Sequence, residues 1–338
     1  MSFEEFATYR EIKSQTEAWG QALDVTDGVK LPNAADYEQV IFTGCGSTYY
    51  LSLAAAALYQ ELTGCGARAI PGGELLLNSR TLLTDQKTLL MAISRSGRTT
   101  ETIKAVEKFR AERRGQVFVI SNYDAVLSRL ADVHLVISKG QEESVAQTRS
   151  FASMYVAVTA LCGRMAGRGD LLNEMNRLPE IGNWLIDNWE EFARELGENL
   201  NFDRFYFLGS GIRYGLACEV NLKMKEMTLT HSEPFHFLEF RHGPMSMVNQ
   251  NAVVVGMLSD TNRVHEAKVL SEMEELRGTV ASLGESEADV EFKSGIPESV
   301  RGVLYLPVLQ LMAFYRSLAK GLNPDRPNNL TAVVKLNL

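Results

Sequence analysis

With 338 residues, the chain is too long for one small module and fits two domains of about 150 residues each. Hydrophobic residues make up 45% and charged residues 22%, a balance that excludes a disordered, collagen-like or disulfide-scaffold protein. The 42 acidic against 34 basic side chains leave a net charge of −8, which argues against nucleic acid or an anionic membrane as the main partner.

The N-terminal MSFEEFATYREIK is acidic and amphipathic, where a secretory leader would be basic and then apolar. By eye no apolar run reaches the roughly 18 residues of a membrane span. Cys45, Cys65, Cys162 and Cys218 are scattered, with no spacing suited to a zinc site or a disulfide framework. These features predict a cytoplasmic, reduced protein with no membrane partner.

In chain order, short apolar runs at Val40–Thr43, Ala67–Ile70, Leu89–Ile93, Val117–Ile120 and His134–Ile137 read as strands. Helical patterns near Thr48–Leu62, Thr99–Arg113 and Ala125–Leu130 lie between them. Strands alternating with helices predict βαβ units and a buried parallel sheet, with ligands at the strand carboxyl ends. The stretch Leu171–Asn199, with Trp184 and Trp189 at helical spacing, predicts a helical connector whose tryptophans serve as core or interface.

The pattern then repeats. Gly44-Cys45-Gly46 after Val40–Phe42 recurs 165 residues later as Gly209-Ser210-Gly211 after Phe205–Leu208. Leu89–Ile93 with Ser94 is matched by Val253–Leu258 with Ser259. Val117–Ile120 has a looser partner in Thr279–Ser282, and Ala131-Asp132-Val133 recurs as Ala288-Asp289-Val290. The expected fold is α/β: two tandem, doubly wound parallel-sheet modules, each a three-layer αβα arrangement. The expected division is 1–166 for the first module with its N-terminal helix, 167–200 for the connector, 201–322 for the second module and 323–338 for a tail.

Ser94-Arg95-Ser96-Gly97-Arg98-Thr99 follows a strand and opens a helix. Hydroxyls and N–H groups at a helix N-terminus can cradle an anion, aided by the helix dipole and by Arg95 or Arg98. The alternative is an ordinary capping loop in which Thr99 satisfies the first turn. The second copy has Ser259-Asp260-Thr261-Asn262 there, whose acidic residue should repel phosphate, so only one copy is expected to bind it. Glu219, Lys223 and Glu226, spaced four and three, share a helix face, either as a solvated ion-pair row or as part of a site. The following HSEPFHFLEFRHGP is unusually rich in titratable and aromatic groups, but His231, His236 and His242 lack a recognised zinc spacing.

Together CGSTYY, SRSGRTTET, VAQTRSF, the long segment GSGIRYGLACEVNLKMKEMTLTHSEPFHFLEFRHGP and the tail NPDRPNNLTAVVKL resemble the sugar isomerase (SIS) domain family over essentially the whole chain. Within it they look most like the isomerase half of glutamine–fructose-6-phosphate aminotransferases and the stand-alone amino-sugar-phosphate deaminases. The resemblance implies a phosphate grip at Gly46, Ser47, Thr48, Ser94, Arg95, Ser96 and Thr99, with sugar contacts at Val145 and Gln147. It implies Glu226 as the base that moves a proton between C1 and C2, with Lys223 lining the same pocket. His242 would open the ring, reached from the neighbouring subunit of a homodimer.

Three departures stand out. Arg95 and Arg98 replace a usual glutamine and glutamate, Gln147 replaces a serine, and Ala332 stands where the aminotransferases have an imine-forming lysine, with Lys335 three residues on. The expected activity is aldose–ketose isomerisation with deamination of an amino-sugar phosphate of the glucosamine 6-phosphate/fructose 6-phosphate type, without metal or other cofactor. A deglycase for amine-linked sugar phosphates, a plain sugar-phosphate isomerase and a non-catalytic sensor are the alternatives.

Overall fold

A computed structural model describes every residue except Met1, Arg113, Arg114, Lys335, Asn337 and Leu338. The chain forms two compact units. One comprises Ser14–Glu142, Gln147–Asn176 and Thr331–Leu338; the other comprises Met1–Lys13, Glu143–Ala146 and Arg177–Leu330.

The first unit is built on five strands, β1 (Gln39–Gly44), β2 (Ala67–Pro71), β3 (Thr88–Ser94), β4 (Val117–Ser121) and β5 (Val133–Val136). They pair in parallel in the order β2-β1-β3-β4-β5. Every residue of β1, β3 and β4 is buried, as expected when crossover helices cover both faces of a parallel sheet. Ile41, Leu90 and Val119 face Val106 and Phe109 of the helix Thr100–Ala111 in one core cluster.

The second unit repeats the plan with β6 (Arg204–Leu208), β7 (His231–Phe235), β8 (Ala252–Met257), β9 (Thr279–Gly284) and β10 (Val290–Glu291), ordered β10-β9-β8-β6-β7. All its pairings are parallel. The duplicated α/β architecture read from the sequence is therefore the observed one. In each sheet the order reverses direction beside the first strand, which opens a crevice at the carboxyl ends of β1 and β3, and of β6 and β8.

The units cut the chain differently from a linear division. Residues 1–13 belong with the second sheet: the Asp325 carboxylate accepts the N–H groups of Ala7 at 2.9 Å and Thr8 at 2.7 Å. Phe3 and Tyr9 pack on Tyr315 and Phe314, each pair with ring centres 5.3 Å apart. The connector is three helices, Gly169–Met175, Leu178–Asn188 and Glu190–Glu198. Trp184 is 41% exposed, so it is not a core residue. Among the described residues one stretch, Gly302–Ala319, is long and apolar enough to cross a membrane, contrary to the expectation from sequence, but 89% of it is buried and it packs as a core helix.

Candidate functional site

In the first unit the chain leaves β1 at Gly44 and turns through Gly46, at φ +57°, into the helix Ser47–Thr63. A side chain at Gly44 would meet the Thr48 backbone at 2.6 Å, so only glycine lets the turn close this tightly. The Thr48 hydroxyl belongs to that turn: it accepts the Cys45 N–H at 2.9 Å and donates to the Cys45 carbonyl at 3.0 Å. Ser47 beside it is buried. Burial raises the Cys45 thiol above its ordinary pKa, despite a contact with the Thr102 hydroxyl at 3.5 Å.

At the end of β3, the Ser94 hydroxyl is buried and has no hydrogen-bond partner among the described residues. The Ser96 hydroxyl accepts the Arg98 N–H at 3.1 Å, closing a small turn over Gly97, whose φ is +60°. Thr99 is the N-cap of Thr100–Ala111, yet its side chain makes no capping bond. The ordinary capping explanation of this loop therefore does not hold. The loop thus pairs a helix N-terminus with a buried Ser94 hydroxyl that has no partner among the described residues, groups that can donate to an oxyanion.

Arg95 is tied down. Its Nη2 donates to the Ala332 carbonyl at 2.8 Å, and its Nη1 lies 3.5 Å from the Glu142 carboxylate. The fully buried Glu142 side chain also accepts the N–H groups of Thr148 at 2.7 Å and Ser150 at 2.9 Å, capping the helix Arg149–Met165. Nothing in the run GQEESV singled out Glu142, because its partners come from separate strand and helix ends. The tail continues along the same helix end: the Thr100 N–H meets the Val334 carbonyl at 3.4 Å, and the Leu336 N–H donates to the Thr100 hydroxyl at 3.2 Å. Lys335, the candidate substitute for the tail lysine, lies outside the described residues. Gln147 is half-buried and accepts from the Ser150 hydroxyl at 3.4 Å.

In the second unit, the helix Ile212–Thr228 carries the acid–base row. Lys223 and Glu219 are each 1% exposed, so this is no solvated ion-pair row. The Lys223 ammonium lies 3.4 Å from Glu219 and 2.5 Å from the partly exposed Glu226. A buried ammonium between two carboxylates holds the Glu226 oxygen in one place while its outer side stays open to a ligand. His242 is exposed, on the short loop between the 3₁₀ turns Glu239–Arg241 and Pro244–Met247. His236 stacks on Tyr214 with ring centres 3.9 Å apart, and His231 is exposed, 3.9 Å from Glu233. Val145 is half-buried, its N–H donating to the Asp325 carbonyl at 2.9 Å.

Comparison with known proteins converges on one family. The model of the SIS domain matches residues 35–163 and 201–289, one stretch per sheet. Glutamine–fructose-6-phosphate aminotransferase from Pyrococcus horikoshii is 31% identical over 316 residues, covering 88% of this chain and 52% of its own length. The enzyme of that name from Methanothermobacter thermautotrophicus is 28% identical, covering 96% and 55%. The chain thus spans about half the length of these curated relatives. The crystal structure of glucosamine-6-phosphate deaminase from Thermotoga maritima superposes with a TM-score of 0.84 at 26% identity, covering 98% of this chain and 100% of that one. Tagatose-6-phosphate ketose/aldose isomerase from Escherichia coli, at 22% identity and a TM-score of 0.86, shares the fold over 94% of this chain and 95% of its own.

Proposed function

The chain belongs to the SIS domain family, and from that premise we propose that it is a phosphosugar isomerase that deaminates an amino-sugar phosphate of the glucosamine 6-phosphate type. This reading is supported by the likeness to the Thermotoga maritima deaminase, at 26% identity and a TM-score of 0.84, and by alanine at position 332.

In this reading the phosphate sits at the N-terminus of Thr100–Ala111, where Ser94, Ser96 and Thr99, with Gly46, Ser47 and Thr48 nearby, supply hydroxyl and N–H donors. His242 of a neighbouring copy in a homodimer moves the proton from the anomeric hydroxyl to the ring oxygen, giving the open aldehyde. Glu226 takes the proton from C2 and the aldehyde oxygen gains one, leaving an enolamine. Return of the proton to C1 makes the C2 ketimine, and water hydrolyses it to fructose 6-phosphate and ammonia. Lys223, 2.5 Å away, holds the Glu226 carboxylate in place for both transfers. Val145 and Gln147 would contact the sugar.

No enzyme-bound imine is required, because the nitrogen is already on C2; this fits alanine at position 332. The test is incubation with glucosamine 6-phosphate, reading ammonia and fructose 6-phosphate together. Equal amounts of both are expected. Interconversion of aldose and ketose phosphates without ammonia would make the protein a plain isomerase. Release of amino acid from a glycated amine phosphate would make it a deglycase, and tight binding without turnover would make it a sensor.

A further inference from the structure

The second sheet has the same crevice as the first, and it is filled. At the common offset of 165 residues, Thr48 corresponds to Arg213, Ser94 to Ser259 and Ser96 to Thr261. The loop after β8 leads into the 13-residue helix Arg263–Glu275, as the loop after β3 leads into Thr100–Ala111. One oxygen of the Glu298 carboxylate accepts the Asp260 N–H at 2.9 Å, with the Thr261 N–H and hydroxyl each at 3.4 Å. Its other oxygen accepts from Nη1 of Arg213. The carboxylate thus takes N–H donors from the loop, a hydroxyl at the Ser96-equivalent position and a guanidinium: the contact set of a bound oxyanion.

The expectation that Asp260 repels anions misses how the loop is wired. Asp260 is paired with Arg301, whose side chain is almost wholly buried, so the aspartate turns its charge toward that partner. Glu266, in the first turn of the helix, accepts the Ser259 N–H at 2.6 Å and hydroxyl at 2.9 Å, and meets Nη2 of Arg213 at 3.3 Å. Arg213 is 8% exposed, and its Nε–H is buried with no partner among the described residues. The two carboxylates thus leave one buried guanidinium donor, the Nε–H of Arg213, unused.

We infer that the second module keeps a working oxyanion cradle whose permanent occupant is Glu298. Phosphate-type ligands are confined to the first module by this internal competitor, and not by decay of the cradle. A side chain tethered a few residues from Arg301 acts at a high effective concentration, so free phosphate cannot displace it. The inference stands whether or not the first module turns over a sugar phosphate, because it concerns donors that already hold an anion.

The test is oxyanion rescue of Glu298→Ala in the full chain, with Ser96→Ala and Thr99→Ala also present to silence the first cradle. Removing Glu298 takes away one of the two carboxylates that pair with the buried Arg213, so the melting temperature should fall by about 5–10 °C relative to the Ser96→Ala/Thr99→Ala parent. Inorganic phosphate, sulfate or formate at about 10 mM should restore at least about 3 °C of it, while chloride at matched ionic strength does not. Equilibrium dialysis with labelled phosphate should find one extra site per chain over the parent. Preference for formate over phosphate would mark a cradle that takes carboxylates; preference for phosphate would mark a retained phosphate site. If Glu298→Ala does not fold, Glu298→Ser, which also empties the cradle, carries the same measurement. An unchanged melting temperature, or a phosphate response equal to the parent's in whichever variant folds, would overturn the inference. Loss of phosphate binding in Ser96→Ala alone bears only on the first module.

Discussion

The Lys223 ammonium sits 2.5 Å from a carboxylate oxygen of Glu226, one turn along the same helix face. Lysine is buried and glutamate partly open, so the pair presents a fixed carboxylate at the surface of the helix. Glu226→Gln, whose amide oxygen can still accept from Lys223, should keep the fold. It should lower ammonia release from glucosamine 6-phosphate by about 10²–10⁴-fold, with loss of solvent-deuterium exchange at C2. Retained exchange would place the base elsewhere.

Lys223 also balances Glu219, which is 1% exposed. Lys223→Met leaves that carboxylate buried beside a neutral thioether. Thermal unfolding should show a loss of about 3–5 kcal/mol, recovered in part by the double variant Lys223→Met/Glu219→Leu.

At the first cradle, Ser96→Ala removes one charge-assisted bond of roughly 1.5–3 kcal/mol. Binding of fructose 6-phosphate, measured by calorimetry, should weaken about tenfold or more. A crystal soak placing the sugar phosphate at the second cradle instead would refute the assignment.

The tail is bound to Arg95 and Thr100 through Ala332, Val334 and Leu336. Deleting residues from Thr331 onward should therefore raise KM for the sugar phosphate and admit water to the site. Borohydride during turnover should trap no sugar on the chain. An adduct on Lys335, lost in Lys335→Ala, would show that an imine forms after all.

Glu190 offers a pH readout of the second unit. It accepts the hydroxyls of Tyr315 and Tyr9, and Lys13 lies 3.0 Å away. Burial alone would raise its pKa, but these three partners more than offset it and hold the carboxyl below 4.5. A depressed folded pKa means stability present above about pH 4.5 and lost as pH falls through the folded value. The gap in melting temperature between wild type and Glu190→Gln should be widest above pH 5 and shrink toward pH 3.

Most of the sheet scaffold was legible, because buried parallel strands leave short apolar runs that periodicity finds: β1, β3 and β8 lie within a residue or two of their expected positions. The acid–base row was legible as a helix face, but its burial was not, since spacing does not say what covers a face. Side-chain wiring was beyond reach where partners are distant in sequence. Arg95 read as a free phosphate contact, whereas Ala332 lies 237 residues away; Asp260 read as a repelling charge, whereas Arg301 lies 41 residues away. The same distance hid the true home of residues 1–13.

That last pairing bears on how the chain is made. Thr8 emerges from the ribosome 317 residues before Asp325, the carboxylate that caps its backbone. At roughly 5–20 residues per second, that is a wait of about 15–65 s. During it, Tyr9, buried in the finished fold, lacks the Phe314 ring on which it packs. Ser14–Glu142 and Gln147–Asn176 can collapse on their own sheet in that interval, while the first thirteen residues stay a nascent hydrophobic flag. A chaperone that holds that flag would raise the yield of native protein, and a bulky fusion ahead of Ala7 would lower it.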